Sequence, residues 1–208
     1  MNSFPKKSLG QNFLIDENII NLITEIGEVN KKVSVLEVGP GKGALTQKIL
    51  EKEPKDFTVI EKDERLIGIL QKKFGSKIKI INQDIMKVSN SDYIKKDLII
   101  FGNLPYNIST QILAKWIKIQ NLDNFCNKLI LMFQKEVADR IISNFNTSNY
   151  GRLSILANWK LDIKKICDIK PSSFFPKPKI DSTLLFFSPK KNFSKIKNPK
   201  NLEKITRV

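Results

Sequence analysis

The sequence predicts an α/β fold, a mostly parallel sheet of seven strands with helices on both faces. Three observations carry that prediction. From residue 33 onwards, short apolar runs rich in β-branched residues alternate with segments of helical periodicity. The first run ends in a glycine-rich turn, Gly39-Pro40-Gly41-Lys42-Gly43-Ala44, the punctuation of a strand that feeds a helix. Gly39, Glu61, Asp84 and Asn103 lie at the ends of four successive runs, and an open α/β sheet gathers its ligand contacts at the carboxyl ends of its strands.

The elements follow in order. Asp16 precedes Ile19, Ile20, Leu22, Ile23 and Ile26 at helical spacing and is the expected cap of an amino-terminal helix. Strands are expected near 33–38, 57–60, 78–81, 98–101 and 128–133, with helices between them, the first of these beginning near Leu45. Two further strands are expected at 161–169 and 182–187, where the readable fold ends. The remaining 21 residues, 188–208, carry Lys190, Lys191, Lys195, Lys197, Lys200, Lys204 and Arg207 against one acid, Glu203. They are too few for a domain of their own and read as a basic linker.

Composition narrows the chemistry. A chain of 208 residues can bury a sizeable core, and 41% hydrophobic with 27% charged residues is ordinary for a globular protein. The net charge of +15 points to a polyanionic partner. Only four of the 36 basic residues are arginines, so contact with phosphates and shape is expected more than reading of guanine edges. With no histidine, Ser-His-Asp and Cys-His mechanisms drop out and few transition-metal options remain. Cys126 and Cys167 are too few for a zinc site or a disulfide framework and are expected in the core. No apolar run is long enough for a membrane span, and the amino terminus lacks a signal-peptide pattern, so a cytoplasmic protein is expected.

The glycine turn lets the backbone approach a ligand closely. Read as G-x-G-x-x-A, with Glu61 lying 22 residues after Gly39, it fits a nucleoside-bearing cofactor whose ribose hydroxyls Glu61 accepts, without saying which cofactor. Asp84 can accept from an adenine amine, with Ile85 packing on the ring. The run ending Phe101-Gly102-Asn103-Leu104-Pro105-Tyr106-Asn107 adds two acceptors and an aromatic face. Pro105 biases Leu104 towards an extended backbone and so frees the Leu104 carbonyl. Together with the Asn103 amide oxygen it can take both hydrogens of an exocyclic NH2, while Tyr106 stacks on the base.

The whole set of motifs resembles the ribosomal RNA adenine N6-dimethyltransferases, which use S-adenosylmethionine. The resemblance rests on Gln11-Asn12-Phe13-Leu14, Glu37-Val38-Gly39-Pro40-Gly41, Glu61, Gln83-Asp84-Ile85, Asn103-Leu104-Pro105-Tyr106, Met132-Phe133-Gln134-Lys135-Glu136-Val137-Ala138, Tyr150-Gly151-Arg152-Leu153-Ser154 and the run from Phe174 to Ser182, all in order. It favours the small-subunit branch of the family. The resemblance implies a Rossmann-like S-adenosylmethionine-dependent methyltransferase domain over residues 1–187, with an amino-terminal segment covering the cofactor. Residues 188–208 would be the linker and start of a carboxyl-terminal helical domain, most of it missing here. By the same resemblance, Gln11, Asn12 and Leu14 close over the cofactor, Gly39 and Gly41 admit it, Glu61 holds the ribose, Asp84 and Ile85 hold the adenine, Lys62 is a further cofactor contact, and Asn103 touches both cofactor and target. Asn103, Leu104, Tyr106 and Phe174 are the implied catalytic set, with Tyr106 and Phe174 sandwiching the target base. The implied reaction is N6,N6-dimethylation of two adjacent adenosines in the 3′-terminal hairpin loop of 16S ribosomal RNA. The implied partner is the immature small ribosomal subunit, approached by a monomer without metal or membrane. A non-catalytic nucleic-acid-binding factor on the same fold and an NAD-dependent oxidoreductase are the competing readings.

Overall fold

The computed structural model of the chain describes residues 4–6, 10–194 and 196. A two-residue strand β1 (Phe13–Leu14) leads into α1 (Glu17–Gly27), whose start is fixed by Asp16: its side chain accepts from the Asn18 and Ile19 amides. Then follow β2 (Ser34–Val38), α2 (Ala44–Leu50), β3 (Asp56–Glu61), α3 (Glu64–Phe74), β4 (Lys79–Asn82) and β5 (Leu98–Asn103). The second half runs α4 (Ser109–Ile117), β6 (Cys126–Gln134), α5 (Lys135–Ile142), α6 (Arg152–Lys160), β7 (Leu161–Ile169), β8 (Phe174–Phe175) and β9 (Ser182–Pro189).

Seven strands form the main sheet in the order β4-β3-β2-β5-β6-β9-β7. The first five are parallel, and β9 runs antiparallel to both β6 and β7. Every residue of β2 is buried, because helices cover both faces of the strand. Side chains alternate across it: Leu36 and Val38 join a core with Ile112, Trp116 and Leu129, while Val35 joins another with Ile23, Ile49, Leu70 and Phe101. The chain moves outward through β2, β3 and β4, then returns to lay β5 on the other side of β2. That reversal makes the β2–β5 boundary the switch point of the sheet, and Gly39 and Asn103 sit at its carboxyl end.

All seven expected strands are present, and the helix after the glycine turn begins at Ala44. Three details differ from expectation. Cys126 is buried as expected, but Cys167 is only half-buried, on edge strand β7 where pairing shifts between Lys165 and Cys167. Strand β9 runs to Pro189 and pairs Ser188 and Pro189 with β7, so a boundary after residue 187 falls inside the sheet. The small ladder that joins β1 to β8 has no local signature in the sequence. Of the expected basic tail, residues 195 and 197–208 lie outside the described residues. Among the described residues, no helix is long and apolar enough to cross a membrane.

Candidate active site

A cavity of about 150 Å3 opens at the switch point, lined by the turn after β2, the ends of β3 and β5, Asp84, and the amino-terminal segment. A second cavity of about 570 Å3 shares Phe13, Gly39, Gly41 and Asn103 with it and extends beneath β1 towards α2. The glycines shape the boundary between the two. Gly39 and Gly41 have φ of 74° and 59°, a region that side chains disfavour. A Cβ on Gly41 would meet the Phe13 ring at 2.7 Å, and one on Gly39 the Asn103 carbonyl at 3.2 Å.

Glu61 ends β3 with its carboxylate buried, accepting from the Asp63 amide at 2.9 Å and from the Gly41 and Lys62 amides. Burial pushes this carboxyl above the usual carboxylate range. Asp63 is the clasp of the amino-terminal segment. Arg65 grips both its oxygens, at 2.9 and 2.6 Å, and Gln11 donates to it at 2.9 Å. The Arg65 fork and Gln11 together hold Asp63 down to about 2. Gln11 also accepts from the Lys6 amide at 2.7 Å, and Arg65 reaches the Phe4 carbonyl. Gln11 lines the cavity, yet its own amide is committed to holding the segment in place.

Asp84 has both oxygens occupied, one by the Met86 amide at 3.0 Å and the other by the Lys62 ammonium at 2.9 Å. Lys62 draws its carboxyl below the ordinary value. At the end of β5, Asn103 Nδ2 donates to the Asn12 carbonyl at 2.7 Å. This orients the amide and leaves Oδ1, on a residue that lines the cavity, free to accept. Next to it, the Leu104 carbonyl accepts no hydrogen bond from the described residues. The Tyr106 hydroxyl meets Ser182 Oγ at 2.5 Å, which anchors the ring against β9, and burial raises its pKa.

Thus Gln11, Asn12, Gly39, Gly41, Glu61, Lys62, Asp84, Asn103, Leu104 and Tyr106 are brought to one cavity. Three expected residues are not. Leu14 lines the adjoining cavity, and Ile85 is buried in the core with Val88 and Leu104. Phe174 is 1% exposed and packs in the core that holds Ile130, Met132 and Leu184. Pairing of Leu14 with Phe174 and of Phe13 with Phe175 sets the faces: alternation turns Phe174 inward, while Phe175 is 50% exposed. The expected sandwich with Tyr106 is therefore not assembled in this conformation. Sequence reasoning missed Phe13, which lines both cavities and lies 5.5 Å beneath the Lys42 ammonium. The signal was present: a glycine at position 41 leaves room for a ring.

Chemically, the cavity offers neutral acceptors and carboxylates to ligand amines and hydroxyls. Among the described residues, no cluster of three or more Cys, Asp or Glu side chains is placed to hold a metal ion.

Comparison with known proteins fits this arrangement. A family model described as ribosomal RNA adenine dimethylase matches residues 2–208. Ribosomal RNA small subunit methyltransferase A of Pelagibacter ubique is 61% identical over 203 residues, covering 98% of this chain and 77% of that protein. The protein of that name from Wolbachia sp. subsp. Drosophila simulans is 42% identical, covering 98% of this chain and 74% of the relative. Among solved structures, a dimethyladenosine transferase from Plasmodium falciparum superposes with a TM-score of 0.78 at 31% identity, covering 86% of this chain and 64% of that one. The 23S rRNA methyltransferase ErmE shares the fold, with a TM-score of 0.73.

Proposed function

The chain belongs to the ribosomal RNA adenine dimethylase family, and from that premise we propose that it dimethylates N6 of two adjacent adenosines in the 3′-terminal hairpin loop of small-subunit ribosomal RNA. The cofactor is S-adenosylmethionine, and the substrate is the immature small subunit, met in the cytoplasm by a monomer.

The residues fit such a cofactor on their own geometry. The glycine turn leaves a cradle that a Cβ would fill. Glu61 offers a carboxylate to ribose hydroxyls, and Asp84 offers one to an adenine amine, while Asn12 lies on the wall of the same cavity. Lys62 would compete with that amine for Asp84, since its ammonium pairs with Oδ2 while the Met86 amide takes Oδ1. When bound, the cofactor supplies an electrophilic sulfonium methyl.

The observation that carries the reading is the orientation of Asn103. Because its nitrogen is spent on the Asn12 carbonyl, its oxygen and the Leu104 carbonyl form a pair of acceptors for one NH2 group. An exocyclic amine shares its lone pair with the base ring. Two acceptors draw its hydrogens out of conjugation and turn nitrogen towards a tetrahedral nucleophile. No strong base is needed, and positioning is the main contribution. Tyr106 supplies a face for the target base, which must leave its stack to reach the cavity. Phe174, buried here, closes the other side only if the β1–β8 ladder shifts.

The test is methyl transfer from labelled S-adenosylmethionine to small subunits lacking dimethyladenosine, with products mapped by nuclease digestion. Dimethyladenosine confined to the hairpin loop supports the proposal. Cofactor binding without transfer, in a protein that still engages RNA, would reduce it to a binding factor.

A further inference from the structure

A second surface, apart from the cavity, carries a feature that folding does not explain. The loop between α5 and α6, residues 143–151, holds Phe145 at 74% exposure, the most exposed large apolar side chain among those described. Beside it stands Tyr150 at 37%, packed edge to face with ring centroids 5.8 Å apart at 89°. The loop is held in shape from within. Ser143 Oγ donates to the Arg140 carbonyl at 2.9 Å and lies 3.0 Å from the Asn149 carbonyl, Tyr150 N donates to Thr147, and Gly151 N donates to Ser154 Oγ. Two of only four arginines in a lysine-rich chain, Arg140 and Arg152, flank this loop. They line a cavity of about 310 Å3 with Thr110 and Gln111 of α4, the helix that follows the Tyr106 turn.

We propose that this loop is a stacking platform for an unpaired nucleotide of the RNA, with Phe145 under the base, Tyr150 bracing the ring, and Arg140 and Arg152 on the flanking phosphates. The proposal rests on the RNA reading of the cavity. An aromatic face held out in water on an ordered loop recovers its solvation cost only when covered, and unpaired bases stack on such faces without regard to sequence. The occupant is a polyanion because the chain carries +15 and because the planar guanidinium fork, unlike an ammonium, matches phosphate geometry. Helix α4, which lines this cavity through Thr110 and Gln111, starts three residues after Tyr106, so the platform and the site share that turn and helix as neighbours in the chain.

The test compares the chain with Phe145→Ala and Arg140→Ala on immature small subunits and on the same RNA stripped of protein. Phe145 is exposed, so its variant should melt within a degree or two of the parent. Expected results are a roughly tenfold weaker affinity for both substrates with Phe145→Ala, and a salt slope reduced by about one with Arg140→Ala. Cofactor affinity should not move, since neither residue lines the cofactor cavity. Unchanged RNA affinity in Phe145→Ala, while the parent binds and methylates, overturns the platform and leaves the enzymatic reading intact. Weakened binding to the subunit alone assigns the ring to a ribosomal protein and overturns it too. A parent chain that binds no RNA removes both proposals.

Discussion

Replacing Asn103 by alanine separates the proposed chemistry from the fold. The substitution removes the hydrogen bond to the Asn12 carbonyl, about 1 kcal/mol for a neutral pair. It also removes the acceptor proposed to grip the target amine, whose interaction strengthens as nitrogen becomes cationic and contributes about 1.5–3 kcal/mol. Only the second part bears on the transition state, so kcat/KM should fall roughly 10- to 150-fold at about 1.4 kcal/mol per decade. Stability should fall by only the first part, roughly 2–4 °C in Tm for a chain of this size. Asn103→Asp should fall between, because a carboxylate oxygen would face the Asn12 carbonyl at the 2.7 Å now spanned by an N–H. Its activity should recover as pH drops and that carboxyl takes a proton to donate. The assay is initial-rate methyl transfer to undimethylated small subunits, with cofactor affinity measured separately by calorimetry. Retention of more than a third of parental kcat/KM in Asn103→Ala would refute the two-acceptor argument.

Three further outcomes follow from the same geometry. Gly41→Ala forces a left-handed backbone on a residue with a Cβ, about 1–2 kcal/mol, and drives that carbon into the Phe13 ring; urea unfolding should show a loss of at least 2 kcal/mol together with weaker cofactor binding, and a neutral result contradicts the cradle. Lys62→Met breaks the exposed ion pair to Asp84, about 0.2–1 kcal/mol, so S-adenosylmethionine should bind up to about fivefold tighter at low salt and less salt-dependently; weaker binding would instead make Lys62 a direct ligand. Burial pushes Glu37, which accepts from Thr46 Oγ at 2.6 Å, up to about 8. The folded chain thus keeps a proton that the unfolded chain loses near 4.5, so stability should decline as pH rises between those values, by a few kcal/mol on the order-of-magnitude scale. Glu37→Gln should flatten that decline in denaturant melts, and parallel curves for variant and parent would show that the carboxyl stays ionised.

The sequence alone determined what is local. Strands and helices announced themselves by period, Asp16 by its place before an apolar helix, and the glycine turn by its spacing. Ten of the expected site residues reached one cavity because parallel strands must deliver their carboxyl ends to one edge. What the sequence could not decide depends on contacts between distant segments. Phe174 and Phe175 are chemically alike as neighbours in the chain, and only the pairing of β8 with β1 turns one into the core and leaves the other in solvent. The same ladder seats Phe13 against Gly41, and the closeness of β3 to the loop after β4 lets Lys62 occupy Asp84. Periodicity reports which face of an element is apolar but carries no information about which distant element covers it. The ring orientations and the ion pair at the site are therefore properties of the tertiary structure.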